Sequence, residues 1–151
     1  MPVLVTGAGG QIGRAALRML GRSGVGLGRA ELDVTDADAV RAAVAAHRPE
    51  LILHAAAWTD VDGAEGDREG ATRANVDAVR NVARAAREAD AKLVTLSTDF
   101  VFDGAKGEPY VESDPTGPLS CYGETKLLGE RAALEEHPDR KSTRLNSSHS
   151  Q

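Results

Sequence analysis

The feature that most constrains this chain is a glycine-rich turn set between two different hydrophobic periods. Val3 to Val5 is a short apolar run that ends in Thr6-Gly7-Ala8-Gly9-Gly10-Gln11-Ile12-Gly13. Beyond it Ile12, Ala16 and Met19 recur at helical spacing, with Arg14, Arg18 and Arg22 opposite. The reading is strand, glycine turn, helix, with Ile12, Ala16 and Met19 as the expected buried face. Gly7, Gly10 and Gly13 form GxxGxxG, where glycine lets the backbone turn tightly and approach an anion met by free N–H groups and the positive helix end. Between a strand and a helix this motif points to a dinucleotide pyrophosphate; elsewhere it is only a turn. The GxGxxG spacing fails because Ile12 stands where its last glycine would be.

The alternation continues. Val25 to Gly28 reads as a weak second strand, and Thr35 with Asp38 as the cap of a helix whose buried face is Val40, Val44 and His47. Leu51 to Leu53 is a continuous apolar run suited to a parallel strand buried on both faces, followed by His54-Ala55-Ala56-Ala57. From Ala71 to Ala89 one helix is predicted, with Asn75, Val79, Val82 and Ala86 on one face and Arg73, Arg80, Arg84 and Arg87 on a solvated one. Leu93 to Leu96 is a fourth strand, Ser97 to Pro118 a loop, and Tyr122 to Leu134 a last helix. Right-handed crossovers then give a doubly wound, Rossmann-like α/β parallel sheet, truncated before its fifth strand. Asp139 to Gln151 is polar and has neither period. Its Asp139 to His149 stretch resembles one reading frame of a common sequencing adapter, so 1–138 is expected to be an incomplete domain and 139–151 a non-native or disordered tail. The fourth strand is thereby expected to be an open edge, and the polypeptide marginal or inactive.

At 151 residues one domain is expected, and the low aromatic content of 3% leaves Ala, Val and Leu to build the core. A net charge of -5, with basic residues scattered among acids, argues against nucleic acid as a partner. The single cysteine, Cys121, excludes an internal disulfide framework, and no CxxC or HExxH spacing marks a metal site. Apolar runs are too short to cross a bilayer, and with Met1-Pro2-Val3 leading straight into the first strand no signal peptide is expected. A soluble, cytoplasmic protein is expected, in a reducing compartment.

Two further constellations carry chemistry. About twenty residues beyond the first glycine, where an acid would hold an adenosine ribose, stands Gly28-Arg29. A guanidinium suits a 2′-phosphate better than a hydroxyl, which favours NADPH with NADH as the alternative; a solvated Arg29 is the other reading. Tyr122 and Lys126 lie four apart at the start of a helix and share a face. A phenol with a reference pKa near ~10 works as an acid–base group at neutral pH only if a cation stabilises its anion. Lys126 can supply that charge. YxxxK alone is commonly a surface pair, and gains meaning from Ser97-Thr98 at the carboxyl end of the fourth strand, where ligands gather in such sheets.

Taken in order, the glycine turn, Leu32-Asp33-Val34-Thr35-Asp36, the segment from His54 to Asp62, Ser97-Thr98-Asp99-Phe100-Val101-Phe102-Asp103-Gly104 and Tyr122 to Lys126 resemble the motifs of the dTDP-4-dehydrorhamnose reductase family of extended short-chain dehydrogenases/reductases. The likeness covers Met1 to about Pro138. It implies a cofactor site built on Gly7, Gly10, Gln11, Ile12 and Gly13, on Arg29, on Asp33 and Val34 around the adenine, and on Ala55, Ala56 and Thr59, with Tyr122 and Lys126 at the nicotinamide end. It implies that Thr98 hydrogen-bonds a sugar carbonyl, that Tyr122 protonates its oxygen and that Lys126 holds the nicotinamide ribose and tunes Tyr122. The implied substrate is dTDP-6-deoxy-L-lyxo-4-hexulose, reduced to dTDP-L-rhamnose, in a parent about twice as long that forms a homodimer. Related classes imply two alternatives, a non-catalytic regulatory subunit of the methionine adenosyltransferase type and a nucleotide-sugar epimerase or dehydratase. Where the family usually has Asn this chain has His54, expected as a core residue; Trp58 is expected as pocket wall or packing, and Cys121 as a small buried side chain.

Overall fold

The computed structural model describes residues 1–138 and the backbone of 141–145. Five strands, β1 (Val3–Thr6), β2 (Gly24–Leu27), β3 (Leu51–His54), β4 (Lys92–Thr98) and β5 (Lys141–Leu145), form one parallel sheet in the order β2-β1-β3-β4-β5. The helices are α1 (Gln11–Leu20), α2 (Ala37–His47), α3 (Val61–Gly66), α4 (Arg68–Thr72), α5 (Ala78–Glu88) and α6 (Cys121–Glu136), with Arg73–Asp77 wound as a π turn between α4 and α5. Among the described residues no helix is long and apolar enough to cross a membrane.

Register decides which side chains meet which layer. Leu4, Ile52 and Leu93 lie side by side across β1, β3 and β4 and pack with Val40 and Val44 of α2 and Val82, Ala83 and Ala86 of α5. On the other face, Val3 and Val5 pair with Gly24 and Gly26, and a Cβ at either glycine would crowd Leu17 of α1. Those two glycines let α1 lie close on the sheet. Leu51, Leu53, Val94 and Leu96 share that face and are only half-buried.

Several expectations are corrected. The sheet does not stop at the fourth strand: Lys141–Leu145 pairs with Val94 to Thr98, inside the stretch expected to be a non-native or disordered tail. A free strand edge offers a row of main-chain donors and acceptors that any extended segment within reach can satisfy, whatever its side-chain period. The rest of that tail lies outside the described residues. The buried face of α1 is Gly13 with the half-buried Ala16, Leu17 and Leu20, whereas Ile12 and Met19 are exposed, Met19 at 89%. Three apolar residues matched a helical stripe, but close packing under the glycine turn rotates Gly13 inward instead. Asp36, not Thr35, caps α2, accepting from the N–H groups of Asp38 and Ala39.

The single helix expected from Ala71 to Ala89 is interrupted by the π turn. Its arginine face is also less solvated than expected, because Arg80 and Arg84 pair with Glu136 at the end of α6. Tertiary contact between α5 and α6, invisible in a local period, recruits those charges.

Candidate active site

The glycine turn is built by close approach. Gly7 has φ +70°, a region that L side chains rarely adopt, and a Cβ there would stand 2.6 Å from the amide nitrogen of Ala56. The turn after β1 and the segment after β3 are therefore pressed together backbone to backbone. Gly13 packs just as closely on the carbonyl of Gly7, so its part is to seat α1 beneath the turn. Gly10 occupies the N-cap of α1 with no side-chain cap, and the first turn carries no acid. The N–H groups that other helices satisfy with Asp or Ser side chains stay available at this end, beside the positive pole of the helix.

A cavity of about 820 Å³ opens there. It brings together Gly7, Gly10, Arg29, Asp33, Val34, Ala55, Ala56 and Thr59 from the residues singled out in the sequence. Gln11, Ile12 and Gly13 are not on its wall; they sit in the first turn of α1, where only their main chain faces the anion-ready end. Lining residues that the sequence reading missed include Gly9, Leu32, Thr35, Asp60 and Arg73. Gly9 was legible as part of the turn, but Arg73 reaches the wall only through the fold of α4 and the π turn. Asp33 accepts from both the N–H and the hydroxyl of Thr35, and these bonds hold its carboxyl below the usual range. It therefore presents a fixed anion to the cavity.

Thr98, Tyr122 and Lys126 gather beyond the wall of this cavity, at the carboxyl end of β4. Trp58 belongs to both regions, lining the cavity and packing with Ala64, Ala71, Cys121 and Tyr122. Ser120 caps α6 and thereby aims the Tyr122 turn at β4. The phenol is buried, and desolvation pushes its pKa up, opposed by the neighbouring Thr98 hydroxyl and reinforced by the Asp99 charge. The direction is opposite to the lowering expected from Lys126; only the Thr98 hydroxyl acts to lower it. Lys126 is 7% exposed and donates from Nζ to the carbonyl oxygen of Leu96 at 2.7 Å. Burial lowers its pKa to about 8, against the opposing charge of Glu130.

Asn75 ties these parts together. The π turn directs its carboxamide inward, where Oδ1 accepts from the N–H of Trp58 at 2.9 Å and Nδ2 donates to the Trp58 carbonyl and the Thr125 hydroxyl. Thr125 in turn donates to the carbonyl of Tyr122. His54 is buried and shares a 2.7 Å hydrogen bond with Thr6 across β3 and β1. Its pKa falls to about 3, through burial first and the Lys126 charge second. Cys121 is a free, buried thiol.

The "RmlD substrate binding domain" family model matches residues 1–146, a span that includes β5. The chain is 50% identical over 139 residues to a dTDP-4-dehydrorhamnose reductase of Streptomyces griseus, covering 90% of this chain and 46% of that one. It is 45% identical to a dTDP-4-keto-6-deoxy-D-glucose reductase of Streptomyces niveus, covering 90% of this chain and 48% of the relative. Its fold superposes with TM-score 0.93 on the crystal structure of a dTDP-4-dehydrorhamnose reductase from Bacillus anthracis in complex with NADP, at 36% identity, covering 97% of this chain and 54% of that one. The chain spans about half the length of the curated relatives it matches.

Proposed function

Because this chain belongs to the RmlD substrate-binding-domain family, we propose that it is the cofactor-binding and proton-donating half of an NAD(P)H-dependent reductase of a dTDP-linked 4-keto-6-deoxy sugar. The observation that carries this reading is a buried Tyr122 phenol beside the Thr98 hydroxyl, with the buried Lys126 one turn further along α6, next to a cavity walled by an uncapped helix start.

The residues present fit a dinucleotide. The start of α1 offers main-chain N–H groups to a pyrophosphate, Asp33 offers a carboxylate to a ribose or adenine edge, and Arg29 stands on the same wall. The bound nicotinamide supplies the hydride. Thr98 donates from Oγ1 to the substrate carbonyl oxygen and polarises it. Tyr122 donates the proton from Oη to that oxygen as negative charge builds there. Lys126, one helical turn from Tyr122 and bonded through Nζ to the Leu96 carbonyl, would supply the charge that stabilises the phenolate left behind and would bind a ribose hydroxyl. Asn75 keeps Trp58 and the first turns of α6 in register, so that cofactor wall and proton donor stay aligned.

The substrate assigned is dTDP-6-deoxy-L-lyxo-4-hexulose, giving dTDP-L-rhamnose. The Streptomyces griseus relative at 50% identity supports it. The Streptomyces niveus relative, named for a 4-keto-6-deoxy-D-glucose, keeps the epimeric sugar as a second reading. A homodimer of the parent, acting in the cytoplasm, is part of the same proposal, as is the non-native origin of 139–151. Sequencing the source locus past the codon for Pro138 tests that origin, and genomic DNA encoding Asp139 to Gln151 would refute it. For the activity, the parent restored from that locus is assayed for NADPH and NADH oxidation with both keto sugars, alongside Tyr122→Phe. Turnover that disappears in the variant supports the reductase and its proton donor. Cofactor binding with no turnover of either sugar by the wild type sinks it.

A further inference from the structure

We propose that Phe100 is a specificity-determining residue: its ring is the apolar wall that takes the C6 methyl of the sugar. This rests on the reductase reading above.

Phe100 follows the strand-ending Thr98 by two residues and touches both hydroxyl-bearing residues of the site. Its N–H donates to Thr98 Oγ1 at 3.2 Å, and its ring meets the Tyr122 ring edge-on, with centroids 5.6 Å apart at 73°. The approach is deliberate in the packing, because a Cβ at Gly123 would collide with the Phe100 carbonyl. Only glycine lets the turn after β4 lie this close to α6. Despite these anchors the phenyl ring stays 38% exposed.

A carbonyl carbon reaching both Thr98 and Tyr122 must bring its ring substituents past that phenyl face. The phenyl offers no hydrogen bond. A methyl placed there sheds water and gains contact, whereas a hydroxymethyl would surrender a hydrogen bond and a hydrogen atom would leave the wall unfilled. The geometry therefore selects a sugar already deoxygenated at C6, the feature shared by the substrate name of the Streptomyces niveus relative.

The test uses the full-length parent, with wild type, Phe100→Ala and Phe100→Leu assayed on dTDP-6-deoxy-L-lyxo-4-hexulose and on a dTDP-4-ketopentose, which has no C6. One methyl in an apolar pocket is worth roughly 10- to 200-fold in kcat/KM, and wild type is expected to prefer the hexulose by that order. Phe100→Ala is expected to cut the preference at least fivefold, because the hexulose loses more in KM than the pentose does, while NADPH binding is kept. Phe100→Leu, which retains an apolar wall, is expected to keep most of the preference. If Phe100→Ala slows both sugars equally, the ring merely props Tyr122 and the proposal is overturned. Wild type that reduces neither sugar defeats the reductase reading itself, and the two failures are told apart because no ratio can then be formed.

Discussion

The carboxamide of Asn75 clasps both main-chain polar groups of Trp58, accepting from its N–H at 2.9 Å and donating to its carbonyl at 3.2 Å. With the third bond to Thr125, one buried side chain fixes the wall of the cavity to the helix that carries Tyr122 and Lys126. Asn75→Ala takes the partner from both the N–H and the carbonyl of Trp58 and one donor from the Thr125 hydroxyl, in a site where Asn75 itself is 1% exposed. A loss of about 2–4 kcal/mol in urea unfolding is expected. Unchanged stability would mean that the clasp is incidental.

Lys126 gives the site a pH limit. Its folded pKa lies near 8, below the ordinary lysine value of 10.5, so the ammonium is lost as pH rises through about 8. NADPH affinity is expected to weaken roughly tenfold between about pH 7 and about pH 9. In Lys126→Met the affinity is lower and flat over the same range. Isothermal titration of the wild type and variant checks this, and parallel curves would remove Lys126 from cofactor binding.

His54 sets the opposite limit. Its pKa of about 3 in the fold lies below the unfolded value of 6.5, so below 6.5 the unfolded chain binds the extra proton. Stability is retained above pH 6.5 and lost progressively as pH falls towards 3. Between about pH 7 and about pH 5 a loss on the order of 2 kcal/mol is expected from this group. His54→Asn should flatten that slope in urea melts at the two pH values, and an unaltered slope would place the acid sensitivity elsewhere.

How much of this was legible in the residues differs from part to part. The strands and the glycine turn were, because each is a local run with its own period or its own backbone demand, as Gly7 shows with its positive φ. The clustering of Thr98, Tyr122 and Lys126 could be anticipated because a strand end and a helix face are both local features. The stripe of Ile12, Ala16 and Met19 misled because three matches to a period say nothing about which face a neighbouring backbone demands. Arg80 and Arg84 looked solvated because their partner, Glu136, lies more than fifty residues away. Asn75 stood on the expected buried face, but its three bonds depend on a π turn that has no residue signature here.

Arg29 is the residue expected to separate the two cofactors. It stands on the cavity wall with Asp33. Arg29→Ser is expected to weaken NADPH binding roughly 10- to 100-fold while NADH moves less than twofold, as loss of a charged hydrogen bond to a 2′-phosphate requires. Competitive displacement of each dinucleotide reads the ratio, and equal losses would leave Arg29 as a general cation at the rim.

The half-covered side of the sheet, where Leu51, Leu53, Val94 and Leu96 lie, makes the two faces unequal. The opposite side is closed by α2, α5 and α6, each of which lies within a few dozen residues of a strand it rests on, so its loops close at small entropic cost. Among the described residues the other side carries α1 alone. A chain emerging from the ribosome would thus pass through a one-sided state, laminated on one surface and adhesive on the other, in which chaperone affinity and dye binding concentrate on those four side chains.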